Sequence, residues 1–469
     1  MGAYNPDDAP FKPDDFSKSW CRFQITNLQN IKIWCTLWGD YSAQFLRFLE
    51  VPRQNPVIVL LQLGRINKRF AGDTKGVSSA LHFTKLLLDD HIPDIDDFRE
   101  RHCFEALDRS MRDILSCCHD GNPKLPFGGK TIVFGGDFRQ VLPVIPKGTR
   151  QDIVQASLNA SHLWQYCTVL KLTKNMRLKN FTNELANPSI LKLFADWILQ
   201  IGDGVLGEGD DGEAEIDIPE NFHVPVMSDP IESIVNTTYP DFLKNMNNIS
   251  YLEGRAILAP TIDEVDRIND FMLLQNNSEE KTYFSSDSAC SSTSDSELLQ
   301  EIHSPEFLNG IKCSGVPSHE LKLKVGVPVM LMRNIDHSAG LCNGTRLLVT
   351  KLGEHIIEAQ MMSGTNAGEK FLIPRISLTP SDVRLPFTFM RRQFPLMVSY
   401  AMTMNKSQGQ SLENVGVFLR RPVFTHGQLY VAVSRVTSPS GLKFVICDDE
   451  GNQKKTAKNV VYKEVFNNL

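Results

Sequence analysis

Near the C-terminal end, between two apolar runs, the chain places Thr403, Asn405, Lys406, Ser407, Gln408, Gly409 and Gln410 in one short polar stretch. Hydroxyls, carboxamides, a lysine and backbone N–H groups gathered in this way supply donors for the phosphates of a nucleotide or of a nucleic-acid backbone. His426 and Gln428 follow the second apolar run, and Arg435 closes the segment. A guanidinium can fork onto two phosphate oxygens at once. A second constellation is Asp137, Arg139 and Gln140 after Gly135-Gly136, and a third is Arg177 within LTKNMRL. Alone, the first of these reads equally as a glycine-rich turn with a local ion pair, and Arg177 as a surface salt bridge.

The elements that must carry these groups alternate between strand and helix. Thr131–Phe134 reads as a buried strand whose C-terminal end delivers Asp137, Arg139 and Gln140, where an open α/β sheet meets its ligand. RAILAPTIDEVDRIN, residues 255–269, reads strand, turn, helix, with Thr261 or Asp263 as the cap. Residues 324–346 are strand-rich around an Asn343-Gly344 turn, with Arg333 and Asn334 available to a ligand or to scaffold. HCFEALDRSMRDILSC, residues 102–117, is an amphipathic helix expected to face Phe104, Leu107, Met111, Ile114 and Leu115 inward. Gly129-Lys130-Thr131 does not make a phosphate-cradling loop. The spacing needs glycine where Lys124 stands, and the segment opens a strand rather than a helix.

Before residue 102 the chain is rich in short strands. Ile31–Trp38 alternates as a half-buried strand, Asp40–Leu46 reads as a short helix, and Pro56–Leu61 as a strand. Gly64–Lys68 reads as a basic turn, and Gly76–Ala80 and Thr84–Leu88 as further strands. Trp34, Trp38, Phe45 and Phe70 beside Arg65, Lys68 and Arg69 make the combination of stacking faces and cations that holds single strands, though aromatics of this kind also build cores.

The bulk properties narrow the classes. With 469 residues the chain has room for two to four domains, and 42% hydrophobic with 22% charged residues is globular composition. A net charge of −6 excludes a uniformly basic nucleic-acid binder, so any such binding is local. Ten cysteines without a CxxC pair point to reduced thiols rather than a metal site or disulfide framework. No apolar run approaches the roughly 18 residues that span a bilayer, and the acidic N-terminus is not a signal peptide. Residues 204–220 read as an acidic loop, and residues 285–296, Ser/Asp-rich, as disordered.

FPLMVSYAMTMNKSQGQSLENVGVFLRRPVFTHGQLYVAVSR, residues 394–435, resembles the last two motifs of PIF-type, Helitron-like DNA helicases of superfamily one. GGKTIVFGGDFRQVLPVIPKG resembles the third motif, LTKNMRL the fourth, and residues 102–117 the signature helix between the second and third. The resemblance implies an α/β fold of RecA-like lobes, parallel sheets with flanking helices. It also implies ATP with Mg²⁺ as cofactors, single-stranded or forked DNA as partner, no membrane, and nuclear work in recombination and repair. It assigns Gln140, Arg177 and Arg435 to catalysis at the γ-phosphate, and Asp137, Arg139, Gln140, Gln408 and Gly409 to the nucleotide. Thr261, Thr403, Asn405, Lys406, Ser407, His426 and Gln428 fall to DNA, with no protein side chain assigned to metal.

Residues 18–101 resemble the oligonucleotide-binding β-barrels of the large subunit of replication protein A, which places Arg65, Lys68, Arg69 and Phe70 on DNA. The domain plan expected is a disordered lead 1–17, this barrel at 18–101, a first-lobe remnant at 102–180, and a second lobe at 181–469 with a small β-rich insert at about 321–390. A helicase of this type opens with a GxxGxGK[ST] loop, which the chain lacks, and carries an Asp-Glu pair before the signature helix, where this chain has IPDIDDFRER instead. The expectation is therefore a helicase by descent with little or no ATPase of its own. The alternative is a non-catalytic single-stranded DNA-binding protein.

Overall fold

The computed structural model describes the backbone of six short strands between residues 20 and 88. Beyond them it describes residues 103–116, 122, 124–145, 148–173, 188–207, 209, 211–226, 229–289, 304–313, 315–380, 389–448, 450–467 and 469. The chain divides into two compact units. The first gathers residues 1–134, 145–147 and 155–167, and the second residues 135–144, 148–154 and 168–469.

In the first unit, β1 (Trp20–Thr26), β2 (Lys32–Trp38), β3 (Val59–Gln62), β4 (Arg65–Asn67), β5 (Gly76–Ser78) and β6 (Lys85–Leu88) form two ladders. One is a four-stranded sheet of order β1-β2-β5-β4, and the other pairs β3 with β6. Among the described residues these ladders do not close into a barrel. The expected basic turn at Gly64–Lys68 is instead strand at Arg65–Asn67, paired antiparallel to β5. The lead 1–17 and the expected helix at Asp40–Leu46 lie outside the described residues.

Helix α1 (Cys103–Ser116) buries a different stripe from the one its apolar residues suggested. Glu105 and Asp108 are buried, whereas Leu107 and Ile114 are 42% and 68% exposed. The reason is the turn Pro126–Gly129 packed on the helix. Asp108 Oδ1 accepts from the Phe127 N–H at 2.5 Å and from Arg112 Nε at 2.9 Å. Ser161 Oγ donates to Glu105. Gly128 has φ +66°, and a Cβ there would lie 2.8 Å from Leu115 Cδ1, so only glycine permits this approach.

Thr131–Phe134 is not the buried strand expected. It is extended and unpaired among the described residues, with Val133 89% exposed; the Phe134 ring packs edge-on against Phe104 at 5.0 Å. A strand exists only through its neighbours' hydrogen bonds, and no described strand lies beside this one.

The second unit is built on a parallel sheet. Its strands β8 (Arg255–Ala259), β19 (Ala401–Thr403), β20 (Asn414–Leu419) and β21 (Leu442–Ile446) stand in the order β19-β8-β20-β21, every neighbour parallel. Both faces are covered. Ile257 and Ala259 enter one core and Ala256 and Leu258 the other, the period-2 signature of a strand buried on both sides. On the first face lie α4 (Pro230–Thr238) and α7 (Ile262–Gln275), with Ile234, Val235, Val265, Ile268 and Met272 in that core. Gly416 on β20 lets α4 come close, since a Cβ there would lie 2.9 Å from Ile234. On the other face lie α3 (Pro188–Asp203) and α9 (Gln428–Val433), every residue of α9 being buried. The shorter α2 (Arg150–Gln155), α5 (Phe242–Asn245), α6 (Ile249–Glu253) and α8 (Pro305–Gly310) complete the helices named here.

The rest of the unit is antiparallel. β12 (Pro328–Leu331), β13 (Arg346–Leu352), β14 (Ile356–Met361), β15 (Lys370–Pro374) and β18 (Leu396–Val398) form a five-stranded sheet of order β15-β14-β13-β12-β18. β9 (Glu280–Phe284) pairs with β11 (Glu320–Lys324), and β17 (Phe389–Gln393) lies between β10 (Ser286–Ala289) and β16 (Ile376–Leu378).

Two expectations of irregular chain are overturned. Glu213–Asp217, within the acidic stretch, is strand β7, paired with β22 (Thr456–Val460). Ile216 and Ile218 point inward while Lys458 and Lys455 neutralise Glu213 and Glu220. Ser286–Ala289, within the Ser/Asp-rich stretch, is strand β10, and its Asp287 is completely buried against Arg391. Residues 290–296 lie outside the described residues.

Candidate functional site

The turn Asp137–Gln140 belongs to the second unit and is closed by the Gln140 N–H donating to the Asp137 carbonyl at 3.1 Å. The Asp137 carboxylate organises the turn. Oδ1 accepts from the Arg139 N–H at 3.1 Å, and Oδ2 accepts from the Tyr430 hydroxyl at 2.8 Å and from Gln140 Nε2 at 3.5 Å. Arg139 Nε donates to Asp203 Oδ1 at 2.6 Å. Asp203 is the last residue of α3, where the helix dipole disfavours a carboxylate, so the guanidinium compensates a charge misplaced on its own helix. Burial by itself would lower the Arg139 pKa, but the bond and charge of Asp203, with Asp137, carry the net shift upward.

Two glycines shape the bed for this turn. A Cβ on Gly202 of α3 would stand 2.7 Å from both Arg139 Cδ and the Tyr430 ring. Gly427, at φ +74°, would press a Cβ to 2.6 Å from the Gln140 carbonyl carbon. His426 Nε2 donates to the Phe138 carbonyl at 2.8 Å, while Nδ1 accepts from the Tyr462 N–H at 2.8 Å.

The same short helix faces the polar loop. Thr403 ends β19 and caps a 3₁₀ turn over Met404–Ser407. Gln428 Nε2 donates to Asn405 Oδ1 at 3.1 Å, and its Oε1 accepts from the Phe424 N–H at 3.0 Å. Arg435 follows α9. Its Nε donates to the Val431 carbonyl at 2.8 Å, Nη1 to the Gln410 carbonyl at 3.1 Å, and Nη2 to Ser434 Oγ at 2.9 Å.

His426 and Ser407 are fully buried and Gln428 is 1% exposed. The ring of His426 is saturated by main-chain partners, Gln428 holds the 424–428 turn to Asn405, and Ser407 Oγ donates to the Met404 carbonyl at 2.7 Å. Arg435 is 5% exposed and is occupied with carbonyl oxygens of its own unit. Gln408 and Gly409 are exposed, and Gly409 takes φ +81°, where an added Cβ would meet nothing within 4 Å.

Lys406 is the loop's cation. Its Nζ donates to Asn343 Oδ1 at 3.4 Å, and burial, with the positive charge of Arg333, lowers its pKa. Asn343 is held in turn by its N–H donating to Asn334 Oδ1 at 2.7 Å. Arg333, Asn334, Asn343 and Lys406 thus lie together where the β-rich insert meets the polar loop. Thr261 stands at the N-cap of α7 but makes no capping bond. Arg177, Lys68, Arg69 and Phe70 lie outside the described residues, and Arg65 is placed only as backbone in β4.

The described residues around Gly128 do not form a site for ATP with Mg²⁺. Gly128 and Gly129 take left-handed conformations, but the chain leaves them extended rather than opening a helix. That is not a phosphate cradle. Among the described residues no group of three or more His, Cys, Asp or Glu side chains could hold a metal. No described helix is long and apolar enough to cross a membrane.

Gly202, Asp203, Gly427 and Asn343 were not singled out from sequence for this site. Of these only Asn343, in the Asn343-Gly344 turn, carried a local signal.

The PIF1-like helicase family model matches residues 71–212, and the DNA helicase Pif1 2B domain model matches residues 306–352. The first match begins inside the stretch read from sequence as an oligonucleotide-binding module. ATP-dependent DNA helicase PIF1 of Homo sapiens is 34% identical over 162 residues, which covers 32% of this chain and 24% of that protein. ATP-dependent DNA helicase Pif1 of Bdellovibrio bacteriovorus is 24% identical over 328 residues, 69% of this chain and 59% of that protein. The chain thus spans less than two thirds of these relatives. Among solved structures, Pif1 helicase from Candida albicans gives a TM-score of 0.47 at 20% identity, over 78% of this chain and 73% of that chain. Two separate segments of the chain, residues 71–212 and 306–352, are thus similar to PIF1-type helicases.

Proposed function

We propose that the chain is a DNA-binding protein of PIF1-type helicase descent that engages single-stranded or forked DNA through its second unit. The observation that carries this reading is the arrangement around α9. One short buried helix and the arginine after it are bonded both to the turn bearing Gln140 and to the loop bearing Lys406. In the reading by descent, Gln140, Arg177 and Arg435 face a nucleotide phosphate, supported by Asp137, Arg139, Gln408 and Gly409. Thr403, Asn405 and Lys406, with Thr261 at the N-cap of α7, serve the DNA backbone. The strands before residue 90, with Arg65, Lys68, Arg69 and Phe70, form a single-strand-binding module in the manner of replication protein A. The setting is nuclear recombination and repair.

Autonomous ATP hydrolysis is not part of the proposal. Phosphoryl transfer needs Mg²⁺ and a cradle to neutralise the phosphates, and losing such preorganised stabilisation costs several kcal/mol, on the order of 3 or more. The test is ATP turnover by the purified chain with Mg²⁺, with and without single-stranded DNA. The expected result is DNA binding without measurable turnover. DNA-stimulated turnover lost on Arg435→Ala would establish a full helicase motor instead, and absence of DNA binding in a folded sample would sink the reading altogether.

A further inference from the structure

The geometry points to Tyr430 as a positioning residue that ties the Asp137–Gln140 turn to the polar loop 403–410 through α9. The inference rests on the DNA-binding reading for its purpose, but its geometry stands alone.

Tyr430 is 8% exposed, and its hydroxyl ends on a carboxylate oxygen rather than in solvent. That oxygen also meets the Gln140 carboxamide, and its twin fixes the Arg139 amide. One phenol thus holds the group that shapes the turn. Gly202 packs so closely on the ring that a Cβ there would lie 2.7 Å from Tyr430 Cδ2. Burial and the adjacent Asp137 charge raise the Tyr430 pKa, so the hydroxyl keeps its proton and remains a donor at any ordinary pH.

Two residues before Tyr430, Gln428 binds Asn405; five residues after it, Arg435 binds the Gln410 carbonyl. Between them the helix backbone is continuous, with the Val431 N–H bonded to Gly427 and the Ser434 N–H to Tyr430. A displacement of the turn is therefore felt by a rigid element of two helical turns at most, and that element ends on the loop carrying Lys406. A hydrogen-bonded chain between two discrete structures is the physical requirement for coupling them.

Tyr430→Phe removes the hydroxyl and keeps the ring. In the 469-residue chain, amide hydrogen exchange is expected to quicken at Arg139 and Gln140 by about tenfold, the scale of one hydrogen bond to a charged acceptor. It should also quicken at Gln408 and Gln410, which a merely local packing role would not move. Asp137→Asn turns one of two accepting oxygens into a donor and Asp137→Ala removes both, so each should quicken Arg139 at least as much as Tyr430→Phe does. Unchanged exchange at Arg139 and Gln140 in a folded Tyr430→Phe protein overturns the inference. Quickening confined to the turn, with Gln408 and Gln410 unmoved, overturns the coupling. Single-stranded DNA affinity measured on the same samples separates the two readings. If the unsubstituted chain binds no DNA, the proposed function fails while the exchange data still decide the role of Tyr430.

Discussion

Arg391 and Asp287 meet as a fully buried ion pair, the guanidinium 1% and the carboxylate 0% exposed, with Nη2 2.7 Å from Oδ2. Nε reaches both carboxylate oxygens at 3.0 and 3.1 Å. The remaining donors go to the carbonyls of Leu308, Ile311 and Pro317, so one side chain fastens α8 and the chain after it onto β10 and β17. Taking both ions out of water is expensive, and it is sustained because every donor has an acceptor.

Removing one partner should therefore be costly. Asp287→Ala leaves an uncompensated buried guanidinium and is expected to lower stability by about 3–5 kcal/mol. Arg391→Met should cost a similar amount, and the double variant less than the sum of the two. Urea unfolding of the three variants measures this. Strict additivity would mean the pair is not the unit that holds this corner together.

His426 gives a pH dependence whose sign is fixed. Burial lowers its pKa, an effect only partly offset by the Phe138 carbonyl and by Asp137. Above about pH 6.5, the ordinary imidazole value, folded and unfolded rings are both neutral and nothing is lost. As the pH falls below that, the unfolded ring takes a proton that the folded ring resists, and stability declines until the lower folded pKa is passed. His426→Gln removes this component. The fall in urea midpoint between about pH 7 and pH 5 should be shallower in the variant than in the unsubstituted chain, and equal falls would show that His426 carries none of it.

Lys406 makes a prediction about salt. If it meets the DNA backbone, Lys406→Ala should weaken single-strand binding and reduce the slope of log affinity against log salt by about 0.7, the value of one phosphate contact on a single strand. Fluorescence anisotropy across a salt series reads both quantities. Weaker binding with an unchanged slope would place Lys406 behind the surface, as a support for Asn343 rather than a partner of phosphate.

The sequence by itself determined the α/β character of the second unit. Residues 255–259 and 414–419 are apolar runs of strand length followed by turn and helix signals, and such runs become parallel strands buried on both faces. It also singled out Asp137, Arg139, Gln140 and the 403–410 loop by residue type and order, which the structure links through α9. Tertiary structure decided what each side chain does there. His426, Gln428 and Arg435 bond the Phe138 carbonyl, the Asn405 carboxamide and the Gln410 carbonyl, partners up to 288 residues away in the chain. Composition misled where charge was balanced across space. Glu213–Asp217 and Ser286–Ala289 look solvated as text, yet become strands because Lys458 and Arg391 arrive from elsewhere. Thr131–Phe134 shows the converse. Its β-branched apolar residues specify a strand locally, but a strand needs hydrogen-bonding neighbours, and those are supplied by the fold and not by the segment itself.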